Sequence, residues 1–131
     1  MDYSQLSDFE INKLVAEATG TQVEETYQFV NGGEDIEDHM SGIVLMRKIT
    51  SNRKHWKLYD PCNNASDAWP IILKNGINVF TDMIPHGLLG QARASVISHE
   101  PPNSECIIAK DANPLRAAMI VFLMMQDAKH A

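Results

Sequence analysis

Apolar residues recur along this chain with two different periods, and the change of period separates helices from strands. Ile11, Leu14, Val15 and Ala18 fall at i, i+3, i+4 and i+7, which draws one stripe of an amphipathic helix. Ser7 and Glu10 supply an S-x-x-E capping box at its start, with Leu6 and Ile11 placed as a hydrophobic staple. Gly20 supplies the left-handed residue that ends it, so the spacing predicts a helix over 8–19. At the far end Leu115, Ala118, Met119, Phe122 and Met125 give a second helical stripe. Asn113 is set to cap this last helix and Pro114 to take its first position, where a missing N–H costs nothing.

Between these helices the period shortens. Val23, Tyr27 and Phe29 alternate roughly and stop at Asn31-Gly32-Gly33, which predicts a strand. Residues 43–49 are β-branched and apolar and residues 55–59 alternate; the turn chemistry of Ser51-Asn52-Arg53-Lys54 joins them as a hairpin. A short central helix is expected to open at Ser66, to carry Pro70 in its first turn and to close at Gly76. Further strands are expected at 77–80, at 93–98 and around Ile107-Ile108, with a break at Pro101-Pro102-Asn103. The acids around Ile36 read as a solvated loop. The expectation is an α+β fold: a small antiparallel sheet packed against N-terminal and C-terminal helices, with a short central helix. No internal repeat or linker divides the chain, so residues 1–131 read as a single domain.

Composition narrows the function more than the fold. With 131 residues, 44% apolar and 21% charged, the chain can bury a core without disulfides or metals. The net charge of -6 disfavours a grip on duplex nucleic acid, which needs clustered cations. No apolar run approaches the ~20 residues that span a bilayer, and the start Met1-Asp2-Tyr3-Ser4 is polar. A cytoplasmic protein with no membrane partner is therefore expected. Cys62 and Cys106 stand far apart, outside any C-x-x-C pair, and read as free thiols. His39, His55, His86, His99 and His130 lack metal-ligand spacing, and the adjacent His99 and Glu100 would point to opposite faces of a strand. There is no G-x-S-x-G elbow, P-loop or G-x-G-x-x-G. Neither catalytic residues, nor a metal site, nor a cofactor is expected.

Two features stand out against this background. Asp60, Asn63, Asn64, Ser66 and Asp67 crowd polar groups around a helix start, with Trp69 one turn in. They fit a ligand met by amides and backbone N–H groups beside an aromatic plate, or equally a turn, a cap and a packed indole. Arg116 lies in the first turn of the last helix, where the helix dipole disfavours a cation. Either an anion bound at that N-terminus, beside Asn113, or a salt bridge to Asp111 or another acid would explain it. The closing Phe122-Leu123-Met124-Met125 reads as core, with a homo-oligomer seam as its other use.

Three segments in order resemble the NinX-like family of bacteriophage accessory proteins. They are Leu6-Ser7-Asp8-Phe9-Glu10-Ile11-Asn12-Lys13-Leu14-Val15-Ala16, Asp60-Pro61-Cys62-Asn63-Asn64-Ala65-Ser66-Asp67-Ala68-Trp69-Pro70-Ile71-Ile72 and Asn113-Pro114-Leu115-Arg116-Ala117-Ala118-Met119. Members of that family often carry a tryptophan in the strand before the last helix, where this chain has Arg93-Ala94-Ser95-Val96. The resemblance implies a phage accessory protein in an infected bacterial cytoplasm and transfers no catalytic residue. Joined to the site residues, it points to a non-enzymatic protein that binds a small phosphate-containing anion, such as a nucleotide immune signal. The alternative is an adaptor that inhibits a host enzyme through its acidic surface. For either, a band-shift assay with duplex DNA at micromolar protein and physiological salt should show no complex; a salt-dependent shift would contradict the charge argument.

Overall fold

The computed structural model describes residues 2–27, 43–49, 56–80, 92–97 and 106–129. The expectations placed on Phe29, on 34–38, on the 51–54 turn, on 101–103 and on all five histidines lie outside those residues. A single 3-10 turn, Tyr3–Gln5, leads into helix α1, Asp8–Thr19. The Ser7 hydroxyl accepts the Glu10 N–H at 3.2 Å and donates to the Glu10 carboxylate at 3.1 Å, so the capping pair closes on itself. Gly20 ends the helix at a φ of 72°, a region that L side chains avoid.

Strands β1, Val23–Tyr27, β2, Ile43–Arg47, and β3, Lys57–Leu58, form an antiparallel sheet in that order. The expected hairpin is present as the pairing of Met46 with Leu58 and Arg47 with Lys57. Helix α2, Ala65–Asn75, follows, and then β4, Asn78–Phe80, β5, Ala92–Ile97, and β6, Cys106–Asp111, form a second antiparallel sheet. Helix α3, Pro114–Lys129, closes the described chain. The architecture is α+β with N-terminal and C-terminal helices, as the periodicity predicts, and the strands divide into two sheets of three.

Three local expectations need correction. Asn64, not Ser66, caps α2, because its side chain accepts the Ser66 N–H at 2.9 Å. The helix therefore starts earlier, and Pro70 falls in its second turn, where no N–H faces the Ser66 carbonyl. On α1 the buried positions are Ile11, Asn12, Val15 and Ala16, while Ala18 is exposed. This helix is packed on two sides: Ile11 and Val15 join α3 in the main core, while Ala16 joins Leu45 and Tyr59 against the first sheet.

Helix α3 is buried more completely than a one-sided stripe requires. Every residue from Ala117 to Leu123 is buried, because α1, α2 and the second sheet all pack on it. The sheet presents small residues to it: Ala94 pairs with Ala109 across β5 and β6, and Val79 pairs with Ala94. Opposite them Ala117 and Ala118 are fully buried, so helix and sheet approach closely with little volume between them. Burial also acts on Tyr3, whose phenol is raised to about 12 by desolvation and by the Asp127 carboxylate it donates to. With Phe122 only 3% exposed, Phe122→Ala should cost about 3–5 kcal/mol in urea denaturation; a loss below ~1 kcal/mol would mean that the site collapses without a cavity.

Candidate functional site

The turn 60–63 brings the starts of the three α-helices among the described residues to one place. Asn63 and Asn64 N–H groups both donate to the Asp60 carbonyl, at 3.0 and 2.7 Å, and Pro61 and Cys62 are fully buried beneath them. From the turn, the Asp60 N–H donates to Asp67 Oδ2 on α2 at 2.9 Å. Asn12 of α1 donates to Asp60 Oδ1 at 2.7 Å and accepts the Cys62 N–H at 3.1 Å. Asn63 donates to Asp8 Oδ2 at the start of α1, at 3.0 Å. Asn113, the cap of α3, donates both to the Cys62 carbonyl at 2.6 Å and to Asn63 Oδ1 at 2.9 Å. Its own Oδ1 accepts from the N–H groups of Leu115 and Arg116.

Arg116 completes the cluster. Its Nη1 donates to Asp8 Oδ1 at 2.6 Å and its Nε to Asp111 Oδ2 at 3.0 Å. Nη2 donates to the carbonyls of Ser4 and Leu6, which ties down the segment before α1. The side chain is only 12% exposed. Burial works against its charge, but the hydrogen bonds and charges of Asp8 and Asp111 outweigh it, and its pKa is raised. Of the two readings of Arg116, the pairing with Asp111 is what the structure contains, with Asp8 added.

Three helix N-termini in one place carry a summed positive potential, each equivalent to roughly half an elementary charge. The negative groups that meet it are the chain's own carboxylates, Asp8, Asp60, Asp67 and Asp111. The same desolvation and carboxylates push the free thiol of Cys62 far above its ordinary value, so it is an inert core residue. Among the sequence-derived site residues, Asp60, Asn63, Asn113 and Arg116 are joined in this one cluster. Asn64 and Asp67 brace the start of α2, while Ser66 and Trp69 are exposed, the indole by 56%. Asp8 and Asn12 were missed. The signal for Asn12 was present: an amide beside Ile11 on the apolar face of a helix, and it is 5% exposed.

Along α2, and reaching the last turns of α1 and α3, lies a groove of about 410 Å³. It is lined by Thr19 at the end of α1 and Thr21 beyond it, by Ser66 and Asp67 from the first turn of α2 and Lys74 and Asn75 from its last, and by Gln126 and Lys129 of α3; Arg47 and Tyr59 come from the first sheet region. Helix C-termini disfavour anions, but here the exposed carbonyls are answered locally. Thr19 Oγ1 donates to the Val15 carbonyl at 2.9 Å, and Asn75 Nδ2 to the Ile71 carbonyl at 2.8 Å. Backbone N–H groups of Thr21 and Ile77 close the ends of α1 and α2 on the Ala16 and Ile72 carbonyls. Arg47, Lys74 and Lys129 make no ion pair among the described residues. The buried Tyr59 phenol is raised, first by desolvation, against hydrogen bonds with Thr21 and Thr19. No group of His, Cys, Asp and Glu among the described residues is arranged to hold a metal ion, and no helix there is long and apolar enough to cross a membrane.

The family model described as Bacteriophage P22, NinX matches residues 2–126, a span that takes in the whole helix-start cluster. No curated protein matches the chain. The cluster's own chemistry predicts that Arg116→Ala should cost roughly 1–3 kcal/mol, because it takes the donor from Asp111 and from the Ser4 and Leu6 carbonyls, while Asp8, 44% exposed, keeps water. Chemical denaturation checks this, and a cost under ~1 kcal/mol would show that water replaces the guanidinium without penalty.

Proposed function

This chain belongs to the family described as Bacteriophage P22, NinX, and on that premise we propose a phage accessory protein that binds a small anionic ligand rather than catalysing a reaction. The supporting observation is the groove along α2, where Arg47, Lys74 and Lys129 line one cavity in a chain of net charge -6. Cations gathered against the overall charge make a local positive field that focuses anions. Hydroxyls and amides from Thr19, Thr21, Ser66, Asn75 and Gln126 supply the neutral hydrogen bonds that such ligands also need. Of the site residues read from sequence, Ser66 and Asp67 reach this groove. A nucleotide is the ligand class that uses both kinds of group. Working in the infected cytoplasm, the protein would hold a host nucleotide signal away from its receptor, and binding alone would suffice.

Native mass spectrometry of protein purified from cells should show a nucleotide-sized adduct. Calorimetric titration with mono- and cyclic nucleotides should give binding that weakens with salt, and Lys74→Glu should reduce it roughly ten- to hundredfold. If no member of the panel binds the wild type, or if Lys74→Glu leaves the affinity unchanged, the groove is not the site.

A further inference from the structure

The groove is not uniformly basic. Asp67 and Lys74 both line it from α2, seven residues and about 10 Å of helix rise apart. At the Asp67 end, Arg47 and Asp67 line the groove with Tyr59 and act on its phenol with opposite sign. At the other end Lys74 and Lys129, from the last turns of α2 and α3, both line the groove, and among the described lining residues Asp67 is the one acid.

We infer that the groove reads its ligand at two points: Lys74 and Lys129 hold a phosphate, and Asp67 accepts a hydrogen bond from a hydroxyl or amine on the body it is attached to. The ligand is therefore a nucleoside phosphate or a similar phosphorylated molecule, not a bare oxyanion. This rests on the proposed reading of the groove as an anion site. Asp67 is held for the task, since its Oδ2 accepts the Asp60 N–H at 2.9 Å while Oδ1 makes no hydrogen bond among the described residues. A carboxylate there repels a second oxyanion and rewards a donor, which is how a site distinguishes a sugar or base from phosphate. The volume of about 410 Å³ is in the range of pockets that take whole small molecules.

The test is calorimetric titration of inorganic phosphate and adenosine 5′-monophosphate into wild type, Asp67→Asn and Lys129→Ala, with melting temperatures recorded alongside. The wild type should prefer the nucleotide by at least about tenfold. Asp67→Asn, whose amide oxygen can still accept the Asp60 N–H, should erase most of that preference without weakening phosphate. Lys129→Ala should weaken both probes alike. Equal binding of phosphate and nucleotide by the wild type would overturn two-point recognition while leaving the anion site standing, and needs no variant to observe. An unchanged preference in Asp67→Asn would overturn the role of Asp67. Binding of neither probe would overturn the anion site itself.

Discussion

The guanidinium of Arg116 joins parts of the chain that lie far apart in sequence. It reaches Asp8 at the start of α1, Asp111 at the end of β6, and the Ser4 and Leu6 carbonyls. Around it Asn12, Asn63 and Asn113 pass hydrogen bonds from α1 through the 60–63 turn to α3. A buried charge is costly unless its donors are matched, and here carboxylates and carbonyls match them together. The geometry of all three helix starts depends on this knot, which is why residues distant in sequence must be polar at positions that packing alone would make apolar.

Helices that begin together align their dipoles, and aligned dipoles repel. The charge distribution relieves this. Acids gather at the common start, as Asp8, Asp60, Asp67 and Asp111, while Lys74 and Lys129 lie in the last turns of α2 and α3. Acids at the starts, and Lys74 and Lys129 near the ends, both match the sign of the helix dipoles. The acids at the start are spent on the fold, while Lys74 and Lys129 make no ion pair among the described residues.

Packing sets where the groove lies. Ala94 and Ala109 on the second sheet admit Ala117 and Ala118 of α3, which draws the helix deep and lets α1 and α2 flank it. Because Ala16 faces Leu45 and Tyr59 at the same time, α1 also fixes the first sheet. Tyr59 and Arg47 are carried by that contact to the groove wall, near Asp67. A change in the width of α1 at Ala16 would move the groove before it touched any groove residue.

Periodicity, caps and glycine positions in the sequence determined α1, the last helix, the hairpin pairing and the α+β class, because each rests on interactions within a few residues. Ser7, Gly20 and Gly76 do their work locally, and so does the capping oxygen of Asn113, so their meaning is readable one segment at a time. The start of α2 was misplaced because Asn64 and Ser66 are both good caps, and the choice fell to the Asp60 turn and its partners on other helices. The division into two sheets follows from which faces α1 and α3 cover, which no strand encodes by itself. For Arg116 the sequence held both an anion and an acid partner open; tertiary structure supplied Asp8, more than a hundred residues away, together with Asp111. The groove was least legible of all. Its cations come from β2, α2 and α3, and only the packing of those elements brings them to one groove.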